Sequence, residues 1–178
     1  EGEFFRNKQF RIALSYAIDR DGIKELAFFG LGESRQGVPA PFHPYYPGDE
    51  YAFKYTQYDV SKANKILDGI MPKKGSDGFR VMSNGETLDI EIGVVPAFGA
   101  WVDIAQLIVE NWSEIGVKAH VEVRERTVHF TMRPANELMA EVWNEDTTGF
   151  PFSGQPKFDP RSDPALTFAP LVAKWYAT

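Results

Sequence analysis

Leu88, Ile90, Ile92 and Val94 alternate with Asp89, Glu91 and Gly93, and Val117, Ala119, Val121 and Val123 alternate with Lys118, His120, Glu122 and Arg124. A two-residue period is that of a strand with one buried face. Between the two runs Ile104, Leu107, Ile108, Trp112 and Ile115 recur at helical spacing, and Gly116 stops that helix. Strand, helix, strand with a crossover of this length returns parallel and right-handed, the helix covering the buried face of both strands. This βαβ unit commits the chain to the α/β class. Leu138 to Trp143, interrupted only by Glu141, reads as a third strand, expected to be more deeply buried than the other two.

Ahead of this unit, Phe10, Ala13, Leu14, Ala17 and Ile18 form an amphipathic stripe between Arg6 and Ile18, with Lys8, Gln9, Arg11 and Ser15 on the wet side. Asp19-Arg20-Asp21 offers caps for a second helix through Ile23, Leu26 and Ala27, which Gly30 stops, giving an expected pair of packed helices. Pro39, Pro41, Pro44 and Pro47 make Leu31 to Tyr58 an extended surface excursion, a kind of segment that is usually functional. Asp59 caps a helix carrying Val60, Ala63, Leu67 and Ile70, and Pro72 ends it. A last stripe, Leu166, Ala169, Leu171, Val172, Trp175 and Tyr176, runs into the end of the chain.

With 178 residues, 43% of them hydrophobic, the chain can build one real core, and disorder is excluded. The net charge of −6 disfavours a nucleic-acid groove or an anionic membrane surface. The longest apolar runs, Leu26 to Phe29 and Val94 to Phe98, are too short to span a bilayer, which needs about 18–20 residues. No cysteine is present, which removes disulfides, thiolate catalysis and cysteine-held metals. His43, His120 and His129 fall in a loop, a strand and a short helix at spacings that match no metal site, and are read as ordinary surface or rim histidines. No motif demands a cofactor. Gly30-Leu31-Gly32 follows a helix and lacks the third glycine of a dinucleotide fingerprint, and Ser34 and Ser153 lack the setting of an activated nucleophile. Asn111-Trp112-Ser113 fits the glycosylation triplet but lies inside a helix.

Ligands of parallel sheets gather at the carboxyl ends of the strands. Two such ends are Pro96-Ala97-Phe98 and Trp143-Asn144-Glu145-Asp146, the second joining a flat aromatic face to amide and carboxylate groups. As a bland alternative, Trp143 is a core residue followed by a solvated acidic turn. Glu145 and Asp146 could also be the acid and base of a glycoside hydrolase, although such pairs need about 5–10 Å between carboxyls and usually come from different strands. An adaptor domain anchored by exposed tryptophan is a third class.

Phe10-Arg11-Ile12-Ala13-Leu14-Ser15-Tyr16-Ala17-Ile18-Asp19-Arg20 followed by Gly30-Leu31-Gly32 resembles a helix pair of the family 5 extracellular solute-binding proteins, the peptide-type binding proteins of bacterial ABC importers. Tyr58 to Ala63, Leu67-Asp68, Asp77 to Arg80, Gly85 to Leu88, Ala105 to Ile108 and Glu114 to Val117 resemble the family's next blocks in order. The resemblance spans about Arg6 to Asp146 and implies a periplasmic-binding-protein-like lobe, a mixed, mostly parallel sheet with flanking helices. It also implies that residues 1–178 are a single domain, the C-terminal lobe of a two-lobed protein, with the first lobe absent and the chain truncated at both ends. Such a protein is periplasmic or extracellular, free or lipid-anchored. It catalyses nothing, uses no cofactor or metal, captures a dipeptide or oligopeptide between its lobes, and passes it to membrane permease subunits. In peptide binders a Trp followed three positions later by an Asp contacts the ligand, the Asp pairing with the α-ammonium; Trp143 and Asp146 have that spacing. The expected ligand-binding residues are Trp143, Asn144, Glu145, Asp146 and Phe98. Thr147-Thr148-Gly149-Phe150-Pro151 departs from the peptide-binder continuation, and oligosaccharides or other solutes are the alternative ligands.

Overall fold

The computed structural model describes residues 2–97, 99–144 and 170–178. After a single-turn helix α1 (Gly2–Arg6), the Asn7 side chain accepts from the Gln9 amide and starts α2 (Lys8–Ala17). Asp19 accepts from the Gly22 amide at 2.9 Å to cap α3 (Arg20–Phe28), and the chain turns left-handed at Phe29 and again at Gly30. The stop therefore begins one residue before the expected glycine. A long irregular stretch follows, broken by one turn of helix, α4 (Asp49–Ala52). Asp59 then caps α5 (Val60–Ile70) through the Lys62 amide at 2.8 Å. In each case a short polar side chain satisfies an amide that the first helical turn leaves unpaired.

The expected crossover follows: β1 (Asp89–Val94), α6 (Trp101–Glu114) and β2 (Lys118–Val123), with β1 and β2 parallel and Ile92 opposite Val121. Gly116, at φ 73°, turns the chain between α6 and β2, and a Cβ there would lie 3.1 Å from the Gly78 carbonyl. α7 (Arg126–Ala135) is capped by Glu125, whose carboxylate accepts from the Thr127 and Val128 amides. β3 (Ala140–Val142) pairs parallel with β1, giving the order β2-β1-β3, and α8 (Pro170–Tyr176) is the last element. The three named strands are wholly parallel; among the described residues, antiparallel pairing is confined to isolated bridges at Lys74–Arg80 and Val81–Thr87. Leu166 to Ala169 of the expected last stripe lie outside the described residues.

Two expectations about packing change. The opening helices are not each other's main partners, since α2 packs chiefly on α5 and α3 lies against α6. The third strand is not the deepest. β1 occupies the centre, with Ile90, Ile92 and Val94 at most 2% exposed, whereas β3 is an edge strand whose residues are half-buried or exposed. Depth follows position in the sheet, and the apolar run at Leu138 to Trp143 carries no information about that order.

The core joins Phe10, Leu14 and Ala17 of α2, Ala63 and Leu67 of α5, the even-numbered face of β1, and Ala105 and Trp112 of α6. Each large side chain so buried contributes about 1.5–3 kcal/mol relative to exposure. Trp112 donates its indole N–H to the Leu14 carbonyl at 3.2 Å, and Asn111 accepts from the Asp19 amide at 2.9 Å. The glycosylation triplet is thus part of a helix-to-helix joint.

At the opposite end of β1 from the loops, Asp89 accepts from Lys118 at 2.8 Å and pairs with His120 Nδ1 at 2.8 Å. Burial pushes the Asp89 carboxyl up, but the hydrogen bonds from Lys118 and His120 outweigh it and hold the group below the usual carboxylate value. A depressed native value means that its stabilisation is present above the unfolded value of about 3.9 and is lost as pH falls through the native one. The stability gap between the wild type and Asp89→Asn is expected to be below about 1 kcal/mol near neutrality, because the pair is partly exposed, and to close in acid. Urea titrations of both proteins across that range check this; a gap that widens in acid would reverse the sign.

Candidate ligand-binding site

The register of β1 and β3 sets Ile92 beside Ala140, Gly93 beside Glu141 and Val94 beside Val142. Their carboxyl ends therefore emerge side by side, one leading into Val95-Pro96-Ala97 and α6, the other into Trp143-Asn144. Trp101, the first residue of α6, meets Trp143 with ring centroids 4.9 Å apart and planes inclined by 55°. α7 supplies the rest of the setting. His129 lies nearly parallel to the Trp143 indole, at 13° and 6.0 Å, and Phe130 meets it edge-on at 5.2 Å. The Arg133 guanidinium sits 4.7 Å from the Trp143 ring and 4.6 Å from the Phe130 ring, a cation over two aromatic faces.

Beneath this aromatic cluster is a shared carboxylate. Glu141 Oε2 accepts from His129 Nε2 at 2.7 Å and from Arg133 Nε and Nη2 at 3.0 and 2.7 Å. The acceptor-only carboxylate assigns the hydrogen to Nε2 of the imidazole. His129 is 0% and Arg133 7% exposed, so the rim-histidine expectation for His129 is corrected. Gly93 explains why the imidazole can be there. A Cβ on Gly93 would lie 3.2 Å from both His129 Cε1 and Arg124 Nη1, so the bare backbone lets two planar groups descend onto the sheet. Arg124 is held in turn by Glu91 at 2.7 Å.

Of the expected site residues, Trp143 is half-buried in this cluster and Asn144 is exposed beside it. Phe98, Glu145 and Asp146 lie outside the described residues. Sequence reading did not single out Trp101, His129, Arg133 or Glu141 for the site. Three signals were present: a glycine in place of a side chain on the polar face of β1, a lone carboxylate interrupting an apolar strand, and a His and an Arg four residues apart, hence on one helix face. Among the described residues no group of three or more His, Asp or Glu is arranged to hold a metal ion, and no helix is long and apolar enough to cross a membrane.

A parallel sheet flanked by helices, with an aromatic and polar cluster at the carboxyl ends of its strands, places this chain in the open α/β class, in which ligands gather at that edge. The family model described as bacterial extracellular solute-binding proteins, family 5 middle, matches residues 1–164, and the chain belongs to this family. A Deinococcus radiodurans protein named "Probable ABC transporter-binding protein" is 31% identical over 123 residues, covering 67% of this chain and 20% of that protein. Among solved structures, the oligopeptide-binding protein OppA superposes with a TM-score of 0.78 at 35% identity, covering 85% of this chain and 24% of its own. The oligopeptide-binding protein AppA from Bacillus subtilis, in complex with a nonapeptide, gives 0.71 at 26% identity, covering 84% and 30%. The chain thus spans less than a third of the length of each of these relatives, and its architecture is that of the periplasmic-binding-protein-like proteins, as the resemblance implied.

Proposed function

We propose that this chain is the C-terminal lobe of the substrate-binding component of a bacterial ABC importer, located in the periplasm or outside the cell. The whole protein captures a dipeptide or oligopeptide between two lobes and delivers it to the permease. The observation that carries this reading is the convergence of the β1 and β3 carboxyl ends, which sets Trp143 and Asn144 beside Trp101 on one edge of the sheet. Family membership and the likeness to two oligopeptide-binding proteins support it. The lobe moves as a rigid body, and the ligand favours the closed state by contacts to both halves. Asp146, three residues beyond Trp143, is assigned to the ligand's α-ammonium, an attraction that strengthens as closure removes water. The chain performs no catalysis, and a turnover assay on chromogenic glycosides tests the hydrolase alternative directly.

An oligosaccharide is the second reading, favoured by the tilted Trp101–Trp143 pair, because an apolar sugar face stacks on such rings. Calorimetry tells the two apart. The full-length protein is expected to bind peptide at least about a thousandfold more tightly than this chain alone, whose dissociation constant should exceed about 1 mM. Asp146→Asn is expected to weaken peptide binding by about tenfold, or about 1.4 kcal/mol, and to leave sugar binding nearly unchanged. Tight binding by the chain alone, or a peptide affinity indifferent to Asp146→Asn, would contradict the assignment.

A further inference from the structure

We propose that Glu141, acting through Arg133 and His129, is the positioning residue that sets the plane of the Trp143 indole; the consequence for ligand rests on the reading of Trp143 as a ligand contact. Glu141 and Trp143 are two residues apart on or next to β3 and so face the same side of the sheet, toward α7. One oxygen, Glu141 Oε2, anchors two planar groups, the imidazole at 2.7 Å and the guanidinium at 3.0 and 2.7 Å. Both groups lie against the indole, one parallel to it within 13° and the other 4.7 Å from its ring. The paired bonds from Nε and Nη2 fix the guanidinium plane, which a single bond would leave free to rotate. Gly93 leaves the room that the imidazole occupies, since a Cβ there would lie 3.2 Å from His129 Cε1. The arrangement costs the protein a buried cation, whose ion-pair partner among the described residues is Glu141. A ligand stacking on Trp143 then meets a ring whose orientation is already set, so less freedom is lost on binding.

Fluorine NMR of the chain labelled with fluorotryptophan tests this, the Trp143 resonance being identified by its loss in Trp143→Phe. Glu141→Leu is expected to shift or broaden that resonance while those of Trp101, Trp112 and Trp175 move less. Glu141→Gln, which keeps the size and an acceptor but not the charge, is expected to produce a smaller change in the same direction and to keep the protein folded. In the full-length protein, Glu141→Leu is expected to weaken trialanine binding by about tenfold, and Glu141→Gln by about two- to threefold. An unmoved Trp143 resonance in both variants, or equal movement of all four tryptophans, would overturn the proposal. So would an unchanged trialanine affinity in Glu141→Leu. Failure of the wild-type full-length protein to bind trialanine would instead count against the peptide reading, and the NMR result would still decide the positioning role.

Discussion

Arg80→Leu is expected to lower the stability of this chain by about 3–5 kcal/mol, a large loss for the replacement of one polar residue. The Arg80 side chain is 1% exposed. Its Nε donates to the Ile115 carbonyl at 2.9 Å, Nη1 to the Met71 carbonyl at 2.8 Å, and Nη2 to Asn64 Oδ1 at 2.8 Å and Asp68 Oδ1 at 2.9 Å. Met71 and Ile115 are the C-caps of α5 and α6, so one guanidinium satisfies the terminal carbonyls of two helices and places its charge where both helix dipoles favour it. Leucine would leave the Met71 and Ile115 carbonyls buried and without the guanidinium. Arg80→Lys should recover little, because an ammonium cannot reproduce a rigid fork aimed at four acceptors on two helices. Asp68→Asn should cost less than about 1 kcal/mol, since that carboxylate is 65% exposed. Denaturant unfolding followed by circular dichroism measures all three, and an Arg80→Leu protein within about 1 kcal/mol of wild type would refute the clasp.

Trp143→Ala in the full-length protein is expected to reduce ligand affinity by about 30-fold or more, corresponding to about 2 kcal/mol for a central aromatic contact. The effect should hold for a peptide and a sugar alike, because the flat ring serves both, whereas Asp146→Asn separates them. Trp112→Ala supplies the contrast. Trp112 is 7% exposed and tied to Leu14, so its loss should cost about 3–5 kcal/mol of stability and act on affinity only through unfolding. Calorimetric titration paired with thermal unfolding of each variant separates the two roles. Should Trp143→Ala lose stability to the same degree while binding as wild type, Trp143 would be a core residue, as the bland alternative held.

The sequence by itself determined the local elements of this protein. The alternation in β1 and β2, the helical stripe between them, the caps at Asp19 and Asp59 and the turn at Gly116 are all chemistry of near neighbours, and the parallel pairing follows from the length of the crossover. Family likeness was legible too, because it resides in ordered short motifs. Tertiary structure alone decided which strand lies in the middle, what Arg80 clasps 35 residues away, and why β1 carries a glycine at position 93. A gap in a periodic pattern says that something approaches closely, not what approaches. Only when register sets Gly93 beside Glu141 and α7 crosses that face does the gap become the seat of His129, and the interrupting carboxylate become the anchor beneath Trp143. Periodicity reports the environment of a residue along its own element, whereas a polar partner is chosen by register and packing between elements, which no local pattern encodes.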